Sequence, residues 1–310
     1  RVGELLGFEE RVKEELWIST FHSFSYRILR EEAVDIGLPK DFRMIDELDE
    51  EIFIRRFLPE LGLKYYLNLS DPSSIIEGIT RFMGRAKDEL VTPDEYSDYV
   101  NRKREEYERT KALLSEEEKH VLEDELSRQE EVARIFRIVY EKILKEGLTD
   151  FGDLINQTVF LFRERPSILR NYQDRFKYIL VDEFQDTNIA QIELIELLAK
   201  RNRNICAVGD DDQSIYRFRG ASYASFLKFK EKFPDLKTIR LDQNYRSTKN
   251  ILAAAERLIA SNGIDRYDPK KNLFTDNPVG DEVEIHIHKD FSFEALAVAD
   301  EIERIYEGLK

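Results

Sequence analysis

Apolar positions follow two rhythms along this chain. Before residue 45 and after residue 148, short β-favouring runs alternate with helically spaced stretches, whereas residues 46 to 148 keep helical spacing throughout. An amphipathic helical stretch runs to about Lys13, and Leu16 to Phe21 reads as a strand leading into His22-Ser23-Phe24. Phe24, Ile28 and Leu29 then define a helix that Gly37 and Pro39 end. Asp46 to Leu58 is helical, and Asp71-Pro72 opens a helix carrying Ile75, Ile76, Ile79 and Phe82 on one stripe. Thr92-Pro93 opens the next. Residues 101 to 131 hold seven basic and eleven acidic side chains with no Gly or Pro, which predicts long helices with solvated faces. Val132, Ile135, Phe136, Val139, Tyr140 and Ile143 continue as an apolar stripe that must pack on something, and Gly147 stops it.

Beyond Asp150-Phe151-Gly152-Asp153 the pattern changes. A helix through Leu154 to Phe162 and a short one after Pro166 lead to a strand at Tyr178 to Val181, expected to be buried. A helix from Ile189 to Lys200, a strand from Asn204 to Val208, a helix from Tyr223 to Phe233 and a strand from Lys237 to Leu241 follow. Glu282 to His288 reads as a further strand and Ser292 to Tyr306 as a further helix. Such alternation predicts a doubly wound parallel sheet with residues 46 to 148 as an inserted all-helical domain. The strands end in polar residues, at Thr20 and His22, Asp182 and Glu183, Gly209 to Gln213, and Gln243 to Arg246. Four such ends would line one edge of one sheet, where an open α/β sheet holds its ligand.

Composition narrows the classes. With 310 residues and 42% hydrophobic content the chain can build a real core. A net charge of −15 supplies no global basic field, so any nucleic acid must be bound in a local groove. The single cysteine, Cys206, reads as a small buried thiol, which excludes disulfides and cysteine-rich zinc sites and fits a reducing cytoplasm. No apolar run approaches the ~18 residues that span a bilayer. The first residue is Arg1 rather than Met, so the chain is expected to be a piece of something longer.

The chemistry concentrates at Asp182 and Glu183. One carboxylate can anchor Mg²⁺ while its neighbour accepts a proton from an attacking water. Alone, an Asp-Glu pair after an apolar run is ordinarily a solvated turn; the downstream residues change that balance. Gly209 frees the backbone for a tight turn, and Gln213 could report on a γ-phosphate or attacking water by hydrogen bond. Ser214 to Gly220 interleaves Tyr216 and Phe218 with Arg217 and Arg219, which suits bases stacking on aromatic faces, although an aromatic core with surface arginines fits equally. Tyr245-Arg246 is a weaker signal. His286 and His288 share a strand face, but without a third ligand a β-face pairing is favoured over a metal. His120 lies among solvated charges.

Trp17 to Phe24, Val181 to Thr187, Val208 to Ala221 and Gln243 to Thr248 resemble, in order and spacing, successive motifs of the UvrD/Rep family of superfamily 1 DNA helicases. The resemblance covers essentially the whole chain. It implies a RecA-like P-loop NTPase fold: a first RecA-like domain in residues 1–45 and 149–240, the inserted helical domain in 46–148, and the start of a second RecA-like domain in 241–310. Two such domains clamp ATP between them and ratchet single-stranded DNA in the 3′ to 5′ direction. By this resemblance Asp182 holds Mg²⁺, Glu183 is the general base, Gln213 senses the γ-phosphate, Tyr245 stacks near the adenine and Arg246 is an arginine finger. Thr20 and His22 would touch the DNA backbone, with Tyr216, Phe218 and Arg219 as a stacking platform for single-stranded DNA. Where the family commonly has Trp, this chain has Phe218. The helical domain could contact duplex DNA at single/double-strand junctions or serve as a lid. Repair or replication of DNA is the implied setting.

One family feature is absent: no Gly-x-x-x-x-Gly-Lys-Ser/Thr loop occurs among the 310 residues. Such a loop supplies the amide nest and lysine that cradle a triphosphate. The chain is therefore expected to be an internal fragment, inactive alone, of an ATP-dependent helicase. The alternative is a non-catalytic helicase-like module that binds DNA or a partner, and a helicase-nuclease motor is a third, lesser option.

Overall fold

The computed structural model describes residues 16–65, 71–214, 223–261 and 271–308. The expected helix before Lys13 and most of the Ser214 to Gly220 segment lie outside those residues. The chain divides into two compact units, residues 1–235 and 236–310.

In the first unit, helix α1 (Phe21–Glu32) passes through a short 3-10 turn, and strand β1 (Arg43–Met44) precedes α2 (Glu47–Arg56), α3 (Pro72–Asp88), α4 (Pro93–Thr110) and α5 (Glu116–Lys145). These helices begin where local hydrogen bonding dictates. Asp46 and Asp71 accept the amides of Asp49 and Ser73, while Thr92 with Glu95 and Ser115 with Glu118 close reciprocal capping boxes. The charged run between α4 and α5 is thus broken at Ser115. Arg104 on α4 reaches Glu123 and Glu130 on α5 at 2.7 and 2.8 Å, clamping the two helices together. Glu131 departs from the solvated expectation: it is buried, and its carboxylate accepts the amides of Lys64 and Tyr65. Strand β2 (Leu148–Thr149) pairs in parallel with β1, closing the helical stretch where it opened. A left-handed Gly147 makes the turn into it.

Helices α6 (Phe151–Glu164) and α7 (Pro166–Arg175), strand β3 (Ile179–Val181), α8 (Ile189–Ala199), strand β4 (Ile205–Ala207) and α9 (Tyr223–Lys232) complete the unit. Two apolar cores result. One gathers Ile28, Leu29, Phe42, Leu154, Phe162 and Leu194; the other lies among residues 45 to 148, with Ile54, Ile76, Met83, Phe136 and Val139.

The sheet is smaller than the pattern predicts. Among the described residues it consists of two separate parallel pairs, β1-β2 and β3-β4. Leu16 to Thr20 form no strand, because Thr20 turns the chain into α1: its Oγ1 accepts the Ser23 amide and its carbonyl accepts that of Phe24. Residues 237–241 and 282–288 are also irregular, and Ile239, Leu241, Ile285 and Ile287 are exposed. A strand needs a partner at long range, and none of the described residues supplies one. The strand at 178–181 is not buried as expected; Val181 is, but Leu180 is 79% exposed. Its register partner Cys206 is likewise exposed, so the buried-thiol reading also fails. Both sit on the sheet face opposite the core, which no described element covers. Consequently, among the described residues, β3 and β4 alone bring the expected polar strand ends to a common edge.

A buried ion cluster joins α3 to the start of α6. Asp150 and Asp153 form the capping box of α6, and their carboxylates hold Lys87, which is 3% exposed; Asp153 Oδ2 lies 3.2 Å from its Nζ. The methylene stem of Lys87 packs where a Cβ on Gly152 would sit, 3.1 Å away. Glu50 on α2 faces the same cluster, its Oε1 buried without a hydrogen-bond partner. Burial raises Glu50 to about 7 and Asp153 to about 6. Their stabilising contribution is therefore full below the ordinary carboxylate range and is lost as pH rises through 6 to 7. His22 works in the opposite sense, because burial lowers it against the pull of Asp150. Comparing urea unfolding of the parent with Glu50→Gln isolates the first effect: the parent is expected to gain on the variant as pH falls from 8 to 5. A pH-independent difference would show that Glu50 does not titrate in this window.

Candidate nucleotide and nucleic-acid site

Two short segments meet beyond β3 and β4. The ladder continues past the strands, with the Val208 amide donating to Val181 O at 2.8 Å and the Phe184 amide to Val208 O at 2.9 Å. Asp182 and Glu183 lie between those two rungs and are exposed. Glu183 takes the left-handed conformation at φ 51°, which costs a non-glycine residue roughly 1 kcal/mol and is the kind of strain that gathers at functional sites. Buried Phe184 anchors the turn by packing edge-on against Phe226 of α9, with Phe229 at 4.7 Å. Ser225 fastens α9 to the same turn through Thr187 O at 2.9 Å.

The second segment is Gly209 to Gln213, whose last three residues form a 3-10 turn. Asp210 caps this turn by accepting the Asp212 amide, and Gln213 Nε2 donates to Asp210 Oδ2 at 2.8 Å. Ligand atoms of Asp210, Asp211 and Asp212 lie within 4.8 Å of one another. Joining the two is a residue of the first segment that pattern reasoning missed. Gln185, 2% exposed, bonds both to Glu183 and to the Asp210 amide, a contact spanning 25 residues that no local signal announces.

Around α1, Thr20 is an exposed N-terminal cap, and half-buried His22 stacks edge-on against Phe151 at 5.6 Å. Trp17 rests among Phe24, Tyr172 and Phe176 with the Arg27 guanidinium 3.8 Å above its ring. Tyr216, Phe218 and Arg219 lie outside the described residues.

In the second unit, the Asn244 side chain accepts the amides of Arg246 and Ser247 at 2.9 and 2.8 Å, forming the turn that presents Tyr245 and Arg246, both exposed. Tyr245 Oη donates to Gln243 Oε1 at 2.7 Å, and Gln243 bridges to Phe274. His286 and His288 are near-parallel rings 6.5 Å apart, and His286 Nε2 lies 2.9 Å from Glu284. Among the described residues the Asp210 to Asp212 cluster is the one grouping of three metal-type side chains, and it contains no histidine. No helix among the described residues is long and apolar enough to cross a membrane.

Residues 1–234 match the UvrD/REP helicase N-terminal domain, and residues 239–310 match the UvrD-like helicase C-terminal domain. The chain is 36% identical over 293 residues to the ATP-dependent DNA helicase PcrA of Bacillus subtilis. It is 34% identical over 307 residues to that of Leuconostoc citreum, and 38% identical over 288 residues to DNA helicase II of Haemophilus influenzae. These alignments cover 94%, 99% and 93% of the chain but only 35%, 36% and 35% of the relatives, so the chain spans about a third of their length. With the first match alone covering well over half of its residues, the chain belongs to the UvrD/REP helicase family.

Proposed function

We propose that this chain carries part of the motor of an ATP-dependent DNA helicase that moves 3′ to 5′ on single-stranded DNA and unwinds duplex DNA, in repair or replication within the cytoplasm. The observation that carries the reading is the strained, exposed Asp182-Glu183 turn fastened to the Gly209–Gln213 turn at the shared end of β3 and β4.

In this reading the exposed Asp182 carboxylate, a hard oxygen donor, suits Mg²⁺, which when bound would neutralise phosphate charge. Glu183 orients the attacking water and takes its proton, and Gln213 answers to the γ-phosphate. Tyr245 stacks on the adenine, and Arg246 meets the charge that develops on the transferring phosphate. Thr20 and His22 contact the DNA backbone. Tyr216, Phe218 and Arg219 stack on its bases, an assignment supported by motif resemblance alone. The separate core among residues 45 to 148 supports the 46–148 helical stretch as an inserted domain, which would approach single/double-strand junctions. Residues 1–45 with 149–240 would form the first RecA-like domain and 241–310 the beginning of the second.

A second reading is a DNA-binding or partner-binding module without catalysis. ATP hydrolysis with and without single-stranded DNA, using Glu183→Gln as control, separates the possibilities. The chain alone is expected to show no turnover above the control while binding single-stranded DNA with strong salt dependence. Turnover abolished by Glu183→Gln would reveal a substitute phosphate site and overturn the inactivity. The full-length protein should hydrolyse ATP when DNA is added; absence of turnover there favours the non-catalytic module.

A further inference from the structure

The fastening of Glu183 is itself specific. Gln185 Nε2 donates to Glu183 Oε2 at 2.6 Å, while Gln185 Oε1 accepts the Asp210 amide at 3.0 Å. Only one orientation of the side-chain amide satisfies both ends, since a flip would set oxygen against carboxylate and NH₂ against N–H. The neighbourhood is shaped to admit it. A Cβ on Gly209 would lie 2.8 Å from Gln185 Oε1 and 3.1 Å from Gln185 N, so any larger residue there displaces this side chain or its backbone. Ser214 Oγ adds a bond to the Gln185 carbonyl at 3.4 Å. Because Asp210 in turn accepts from Gln213 Nε2, three successive hydrogen bonds run from Glu183 through Gln185 and Asp210 to Gln213.

We infer that Gln185 is a positioning residue for ATP hydrolysis, holding the Glu183 carboxylate in place and joining it to the turn that carries Gln213. This rests on the reading of Glu183 as general base. A water-orienting carboxylate on an exposed, left-handed residue has freedom to swing, and a misplacement of about 1 Å can cost on the order of a hundredfold in rate. Gln185 contributes by removing that freedom; buried under the turn, it does not itself face the reacting atoms. Its second bond makes the position of Glu183 sensitive to the Gly209–Gln213 turn, so movement of one turn is felt by the other.

The test uses Gln185→Leu, which keeps the bulk and deletes both hydrogen bonds. In the full-length protein, kcat is expected to fall roughly ten- to a hundredfold with the KM for ATP unchanged within about twofold, since an orienting interaction is lost rather than a binding one. In a Glu183→Gln background the same change should cost nothing further, because residues acting as one unit are non-additive. A readout independent of activity comes from hydrogen exchange on this chain: the Asp210 amide should exchange faster in Gln185→Leu and be unaltered in Glu183→Gln. If Leu prevents folding, Gln185→Asn retains the amide one methylene short and should show the same kcat-against-KM split. An unchanged kcat in Gln185→Leu alongside an inactive Glu183→Gln overturns the positioning role, as do losses that multiply. Undiminished turnover in Glu183→Gln overturns the general-base reading, and the role of Gln185 with it.

Discussion

Lys87→Met is expected to destabilise the first unit by about 3–5 kcal/mol, the cost of breaking a buried ion pair from one side. The lysine is held by Asp150 and Asp153, and Glu50 also acts on it; together they keep it charged although it is buried. Methionine would fill the same volume beside Gly152 but leave Asp150 and Asp153 facing each other without a cation. Those carboxylates also cap α6, so protonating them to relieve repulsion would weaken the capping box. The single tryptophan, Trp17, packs in the first unit against Phe24 and Phe176 and reports its unfolding directly. Urea titration at pH 7.5 followed by Trp17 fluorescence measures the loss. Adding Asp150→Asn and Asp153→Asn to Lys87→Met should recover part of it, because the stranded charges are then gone. A loss below about 1 kcal/mol for Lys87→Met would show that solvent reaches the cluster and screens it.

The consequence of this cluster extends beyond stability. Lys87 fixes the end of α3 to the residue that caps α6, and Asp150 also acts on His22. The next residue, Asp88, accepts from Asn188 Nδ2 at 2.6 Å, and Asn188 caps α8 immediately after the Asp182 to Thr187 turn. Burial raises Asp88 to about 6. Two consecutive side chains of one helix thus tie the helical stretch to α6 beside His22 and to the turn of the candidate base.

Helix boundaries were legible because their causes are local. Asp46, Asp71-Pro72, Thr92-Pro93 and Asp150 cap helices where the pattern places them, and Ile135, Phe136, Val139 and Ile143 are buried as their spacing requires. Strands were less legible because their causes are remote. Leu16 to Phe21, Lys237 to Leu241 and Glu282 to His288 have β-favouring composition, yet pairing decides a strand, and Thr20 shows a local cap overriding propensity. The same limit governs the candidate site. Asp182, Glu183 and Gln213 are visible as motif residues, whereas Gln185 is joined to it by a bond from an amide 25 positions away. Lys87 carries no local signal of its buried role, because Glu50, Asp150 and Asp153, which act on it, lie far from it along the chain.

Gly280→Ala should produce the largest effect in the second unit, and for two separable reasons. Gly280 has φ 74°, a conformation costing a Cβ-bearing residue about 1–2 kcal/mol. An added Cβ would also lie 2.5 Å from both Cβ and Oγ1 of Thr248, an overlap whose relief costs about 1–3 kcal/mol. The position matters because the loop before Gly280 caps α10 (Lys249–Ala260): Pro278 O and Val279 O accept the amides of Lys249 and Asn250 at 3.1 and 3.0 Å. Asn250 Nδ2 bonds back to Gly280 O at 3.0 Å. With no side-chain cap from Thr248, these carbonyls satisfy amides that the helix itself cannot. Pushing the loop away frees them, immediately beyond the turn that presents Tyr245 and Arg246. Hydrogen exchange at Lys249 and Asn250 should therefore accelerate roughly thirtyfold or more, equivalent to about 2 kcal/mol of lost protection. Thr248→Gly in the same chain removes the overlap and leaves only the backbone cost, so it should restore part of that protection. Unchanged exchange in Gly280→Ala would mean that the loop accommodates a Cβ and that α10 is not capped by it.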